Sequence, residues 1–306
     1  LENLITNFSR ERFDYVFIEV NKLLSDYPTS FKLWNILGAV NTQMQKTQEA
    51  MQCYEKAIEL RHDYAEAHNN LGNLLKNDGQ HEKAIISYKK ALEIKSDLYD
   101  ANYNLGVIFQ EREDYPSAMT CYYKVLDVKH DYENALNNVG NLYREMGEYE
   151  KSLNTLNRAA QIHPKSAEIK NSIGLTCRDQ GNLDKAIESY KEAISLNINF
   201  AEAHNNLGII FREQGDFKKA INSYKKAIEI DPNFAEAYGN ISKIKKFEHA
   251  DIQIDQMEKI YSTGNLKEKT ACVLAFALGK VYGDIGDNEK AFTFLKEGNA
   301  LRKKLL

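Results

Sequence analysis

The chain has 306 residues, 27% of them charged and 43% hydrophobic, with a formal net charge of −4. Charges of both signs are mixed along it, which excludes a general attraction to nucleic acid or to an anionic membrane surface. No apolar run is long enough to span a bilayer, and the first residues do not read as a secretion signal. Residues 1–30 fit the back part of a helical repeat, with Val16, Val20, Leu23 and Pro28 at positions that recur later in the chain. Six complete units then open at Phe31, Ala65, Tyr99, Glu133, Ala167 and Ala201, so residues 31–234 are expected to form six repeats. A degenerate seventh unit over 235–250 keeps Tyr238 and Ile241 but has Ser242 in place of a recurring glycine. The period breaks after Phe247, and residues 251–306 are expected to form a helical cap or connector.

The register of the repeat is set by small residues. A glycine stands at Gly38, Gly72, Gly106, Gly140, Gly174 and Gly208, each 34 residues after the last. Twelve residues on come Ala50, Ala84, Ala118, Ser152, Ala186 and Ala220; four further come Tyr54, Tyr88, Tyr122, Leu156, Tyr190 and Tyr224. With Ala201 as position 1, positions 1–14 read as one helix, positions 18–31 as a second, and Gly215-Asp216 as the turn between them. Ala203, His204, Leu207, Gly208 and Phe211 share the apolar face of the first helix, and the second buries Ala220, Tyr224 and Ala227. One such pair cannot bury its apolar side alone, so the units must stack. The pattern resembles the tetratricopeptide repeat, over most of the chain. The resemblance implies an all-α fold: an α-solenoid of antiparallel helix pairs wound into a right-handed superhelix, binding a protein or an extended peptide in its concave groove.

The tail has its own pattern. Asp251 to Ser262 reads as an amphipathic helix with Ile252, Met257, Ile260 and Tyr261 on its apolar side, followed by a turn at Thr263-Gly264-Asn265. Lys267 to Asp284 and Asn288 to Lys304 read as a final hairpin, with Gly279, Ala291 and Leu295 at repeat-like spacing. The phrases FALGKVYGDIGD and KAFTFLKEGNALRKK resemble the connector of bacterial proteins that carry tetratricopeptide repeats ahead of a sulfotransferase domain. That likeness implies a non-catalytic arm presenting substrate to a transferase, because the phosphate-binding loop of such a domain does not occur before Leu306. The start at Leu1, inside a helical pattern, suggests a piece of a longer cytoplasmic protein. A third use is assembly through the convex surface or the ends.

Little chemistry is legible. Cys53, Cys121, Cys177 and Cys272 lack metal-ligand spacing and are expected to be buried, reduced thiols. The seven histidines show no zinc-type pairing; His68 and His204 occupy position 4, a helix-packing slot. No glycine run forms a phosphate loop or a dinucleotide fingerprint. The chain is therefore expected to have no catalytic residues, metal or cofactor, and not to be an enzyme by itself.

The distinctive feature is asparagine. Position 6 reads Ile36, Asn70, Asn104, Asn138, Ser172, Asn206 and Asn240, and position 5 adds Asn35, Asn69, Asn137, Asn171 and Asn205, interrupted by Tyr103. Position 9 adds Asn73 and Asn141. Asparagine is a mediocre helix former, so helix propensity does not account for the row. Its amide can donate to and accept from a peptide backbone, so positions 2, 5, 6, 9, 12 and 13, opposite the packing stripe, are expected to hold an extended chain. The row resembles the asparagine ladder of the nucleocytoplasmic N-acetylglucosamine transferase, matched by Asn70, Asn104, Asn138, Asn206 and Asn240, with Ser172 and Ile36 departing. The competing use is bonding between neighbouring repeats. The basic residues at position 12, Arg144, Arg178 and Arg212 among them, are candidate ligand contacts, though Glu145, Asp179 and Glu213 beside them favour local ion pairs. Position 2 is mostly acidic (Glu66, Asp100, Glu168, Glu202, Glu236), which disfavours a lysine-based carboxylate clamp and an RNA-reading groove.

Overall fold

The first helix of each repeat ends where the backbone enters the left-handed region. Gly215 has φ +78°, with Gly79, Gly147 and Gly181 between +76° and +85° at the same position. There the N–H of Asp216 reaches back to the carbonyl of Phe211 (2.8 Å) and that of Gly215 to Arg212 (3.0 Å), closing the helix end. The Asp216 carboxylate then accepts the N–H of Lys219 (3.1 Å), capping the second helix. Stop and start are thus three residues apart. The first helix covers positions 1–13 and the second 17–30; the first starts where periodicity predicts, and the other three boundaries fall one residue earlier.

A computed structural model describes residues 2–264 and 266–305. Among them are eighteen α-helices and no strand. The chain divides into two compact units, Leu1–Leu142 and Tyr143–Leu306. The first contains α1 (Glu2–Ser9), α2 (Phe13–Asp26), α3 (Phe31–Gln43), α4 (Thr47–Leu60), α5 (Ala65–Asn77), α6 (His81–Ile94), α7 (Tyr99–Glu111) and α8 (Tyr115–Val128), together with most of α9 (Glu133–Glu145). The second continues through α10 (Tyr149–Ile162), α11 (Ala167–Asp179), α12 (Leu183–Leu196), α13 (Ala201–Glu213), α14 (Phe217–Ile230) and α15 (Ala235–Ser242). It ends with α16 (Ile252–Ser262), α17 (Glu268–Asp284) and α18 (Asn288–Lys304). Within each unit a helix packs against its hairpin partner and against the helix that follows.

Five of the helix pairs close on the same contact. Tyr54, Tyr88, Tyr122, Tyr190 and Tyr224 are buried, each laid over the glycine sixteen residues earlier. A Cβ on Gly208 would sit 2.7 Å from Tyr224 Cε1, and one on Gly38 2.6 Å from Tyr54 Cε1, so no side chain fits there. The alanines beside them, Ala50, Ala84, Ala118, Ala186 and Ala220, have no exposed surface. Ser152, which replaces that alanine in one repeat, is equally buried and shares a hydrogen bond with Thr176 (2.9 Å).

Two packing expectations change. His204 and Phe211 are half-buried, whereas position 10 is fully enclosed at Val40, Ile108, Leu142 and Ile210. Position 10 lies about 160° round the helix from the position-8 glycine, and there Val40 packs with Val16 and Val20 of the preceding helix. In the tail, Ile252 is 64% exposed and Ile254 takes its expected place beside Met257 and Ile260. Five residues before Met257 lies roughly 140° round a helix, but three residues before lies only about 60° away. Phe247, in the loop after α15, is buried against this end and donates its N–H to Asp284 (3.0 Å). Gly264 is left-handed at φ +68°, as a turn requires, while Asn265 lies outside the described residues.

Gly208→Ala should therefore destabilise the chain by about 1–3 kcal/mol through overpacking of Tyr224, despite alanine's better helix propensity. Gly283→Ala, with no atom within 4 Å of the added methyl, should leave stability unchanged or raise it by no more than about 1 kcal/mol. Urea unfolding of both variants measures the contrast.

Candidate peptide-binding face

The 34-residue period places position 6 of one first helix beside position 5 of the preceding first helix, and the amides meet there. Asn70 Nδ2 donates to Asn35 Oδ1, Asn206 to Asn171, and Asn240 to Asn205, each at 3.0 Å and 35 residues apart. Two of the acceptors lie deeper than expected: Asn171 and Asn205 are each 5% exposed, while Asn35 is half-buried. At Asn171 and Asn205 position 5 is thus packed between repeats instead of lining an open face. The sequence signal for this pairing is the recurring Asn-Asn dipeptide itself, one residue supplying the acceptor and the other the donor.

The candidate residues that remain at the surface, Asn70, Asn73, Asn104, Asn138, Asn141, Asn206 and Asn240, are all half-buried. An asparagine amide has two N–H groups and a carbonyl that accepts twice. Asn70, Asn206 and Asn240 each use one N–H, and among the described residues their carbonyl oxygens, which are not enclosed, have no partner. Asn104 departs from the pattern. It donates to Asn73 Oδ1 (3.0 Å) and to the Asp100 carbonyl (3.0 Å), and accepts from Lys76 Nζ (2.6 Å). Asn73 also accepts the Tyr88 hydroxyl (2.8 Å), so this position-9 amide draws Asn104 away and leaves Asn69 Oδ1 enclosed and unpartnered. Asn138 makes only a long bond to the Tyr103 hydroxyl (3.4 Å), and Asn141 Oδ1 is enclosed without a partner.

The arginine row does not form a track of free cations. Arg144 and Arg178 converge on one carboxylate, Asp179 (2.8 and 2.9 Å), and Arg144 also pairs with Glu145. Arg212 makes no ion pair among the described residues. The acidic row is the less compensated one. Burial raises the pKa of the Glu202 carboxyl above its ordinary 4.5, and the nearby Glu236 and Glu168 raise it further. Asp100 is raised by burial too, opposed by Lys129.

Reactive groups are muted. All four cysteines are free and buried, and burial pushes the Cys121 thiol up to about 11, which keeps it protonated at neutral pH. His68 and His204 bond through Nε2 to the carbonyls of His62 (3.1 Å) and Ile198 (3.3 Å). Among the described residues no group of three or more His, Cys, Asp or Glu side chains could hold a metal ion, and no helix is long and apolar enough to cross a membrane.

Comparison with protein families matches models described as tetratricopeptide repeat at residues 65–98, 97–165 and 201–234, and as TPR repeat at 38–79 and 174–211. The chain is a tetratricopeptide-repeat protein. A tetratricopeptide repeat protein from Parabacteroides merdae is similar in fold, with TM-score 0.64 and 18% identity, covering 78% of this chain and 95% of its own. The C-terminal part of a TPR repeat-containing protein from Cytophaga hutchinsonii gives TM-score 0.58 and 16% identity, covering 78% and 98%. The Cut9-Hcn1 hetero-tetramer of the APC/C gives TM-score 0.59 and 14% identity over 97% of this chain and 54% of that one. Comparison with curated protein sequences returns no match.

For this tetratricopeptide-repeat chain, Asn206→Ala should cost about 1–3 kcal/mol, because the enclosed Asn171 carbonyl loses its donor; the denaturation midpoint reads the loss. Glu202→Gln should stabilise at neutral pH by less than about 1 kcal/mol. The sign follows from a folded-state pKa above the unfolded one: ionisation is disfavoured in the fold, and that cost is complete above the folded pKa. The advantage of the glutamine variant should therefore shrink as pH falls and vanish below 4.5, which melting curves across pH would register.

Proposed function

We propose that the chain binds an extended segment of a partner protein along the asparagine face of its first helices. The observation that carries this is the half-used amide: Asn70, Asn206 and Asn240 are each held by one bond to the neighbouring repeat, with a carbonyl oxygen and a second N–H left over. An amide fixed this way has already lost its rotamer freedom, so a ligand backbone bonds to it without ordering it again. Backbone bonding reads no sequence, and selectivity falls to charge. In the second unit Glu168 and Glu236 stand close enough to Glu202 to raise its proton affinity, and a lysine or arginine of the partner would relieve that repulsion.

The likeness of the tail to sulfotransferase connectors carries a second reading, in which the array presents substrate to a transferase domain. An open reading frame continuing past codon 306 into a phosphosulfate-binding loop would support it, and a stop codon there would remove it.

An array of defined 15-residue peptides, probed with the parent and with an Asn206→Ser/Asn240→Ser variant, tests the groove proposal. Serine already stands at this position in Ser172. The parent should retain peptides rich in lysine and arginine. The variant should bind them about tenfold or more weakly at a temperature where both are folded, the effect of losing two hydrogen bonds. Equal binding by both, or retention of acidic peptides instead, would make the proposal wrong.

A further inference from the structure

The first unit contains a cavity of about 520 Å³ that the asparagine face does not use. Phe17 of α2, Trp34, Leu37 and Asn41 of α3, and Lys46 and Cys53 at the start and middle of α4 line it. It has a local cause. Position 11 of the first helix is Leu75, Phe109, Tyr143 or Phe211 in four other repeats, but Asn41 in this one. Asn41 matches leucine in size, but it leaves open part of the space that the rings of Phe109, Tyr143 and Phe211 fill elsewhere.

The polar groups around this space are incompletely used. Asn41 is 3% exposed; its Nδ2 lies 3.6 Å from Cys53 Sγ, and its carbonyl oxygen is enclosed with no partner. Buried amides without a partner are rare in folded proteins and call for an explanation. Lys46 holds its ammonium 4.7 Å from the Phe17 ring centroid and forms no ion pair among the described residues. The Trp34 indole N–H is engaged by the Pro28 carbonyl (2.8 Å), so its ring is fixed as an apolar wall. The site therefore offers flat apolar walls, the Lys46 cation and an amide with an unused carbonyl, and Asn21, Glu49, Gln52 and Lys56 complete its lining.

We propose that this cavity is a second binding site, which receives the phenol side chain of a tyrosine presented by a partner protein. The ring lies against Trp34, Phe17 and Leu37, where the Lys46 ammonium can reach its electron-rich face. The hydroxyl meets Asn41, and it suits either amide orientation, donating to the carbonyl or accepting from the N–H once the amide turns. Phenylalanine would satisfy the walls and leave Asn41 unpaired. A carboxylate side chain would satisfy Lys46 and leave the walls wet.

The test uses the chain's single tryptophan, which lines the cavity, as its reporter. Trp34 emission, excited at the red edge to avoid tyrosine, is followed during titration with N-acetyl-tyrosinamide and with N-acetyl-phenylalaninamide. A saturable change is expected for both, with the tyrosine derivative bound about fivefold tighter, the value of one net hydrogen bond. Asn41→Leu, which keeps the size of the side chain and removes its amide, should bind the two ligands equally without lowering the melting temperature. Lys46→Met should weaken both ligands by the same factor, and it carries the test should the leucine variant melt lower. Absence of a saturable change in the parent, equal affinity of the parent for the two ligands, or an undiminished preference for tyrosine in Asn41→Leu would overturn the proposal.

Discussion

A tyrosine ring lying on a glycine is the contact from which the rest of the repeat follows in five of the six complete units. At Gly208 an added Cβ would come within 2.7 Å of the Tyr224 ring, and the fully buried tyrosine has no room to withdraw. The bare helix surface at glycine lets the ring lie flat, and the ring in turn sets the separation of the two helices. Alanine at position 20 continues the same close approach. Because this contact is local to each hairpin, it recurs without help from distant parts of the chain, and the repeats differ chiefly in what their remaining positions carry.

One of those remaining positions joins structure to recognition. The asparagine row was open to two uses, contact with a ligand or bonding between repeats, and the amide has enough valences for both. One N–H of Asn70, Asn206 or Asn240 reaches the preceding repeat, and the bond fixes the direction of the rest of the amide. Where a further polar residue is added, as Asn73 is beside Asn104, the bond is diverted and Asn69 loses its donor. Charge behaves in the reverse way. Arg144 and Arg178 are spent on Asp179, while Glu202 lies near enough to Glu168 and Glu236 for their charges to disfavour its ionisation. The face offers backbone-directed amides with an uncompensated acidic edge.

The tyrosine hydroxyls show how a repeated core tolerates polar variation. Tyr54 shares a hydrogen bond with Thr42 (3.2 Å), Tyr88 donates to Asn73 and Tyr122 to Gln110 (2.8 Å each), all residues at positions 9 or 12 of their own first helix. Tyr190 and Tyr224 have no such neighbour, and their hydroxyls are enclosed without a partner. Burial raises the pKa of each of these five phenols, that of Tyr54 to about 12, so they remain neutral at physiological pH.

The helix pairs, their 34-residue register and the glycine–tyrosine contact were legible in the sequence, because periodicity says which side of its own helix a residue occupies. The left-handed turn was legible from Gly215, although its capping by Asp216 moved both helix ends by one residue. What periodicity does not say is which atom of an adjacent helix lies within 3 Å. The burial of position 5, the diversion of Asn104 to Asn73, the sharing of Asp179 by two arginines and the cavity above Asn41 were therefore decided only by the tertiary structure. Each depends on a side chain from another turn or another repeat arriving first at the same hydrogen bond or the same volume.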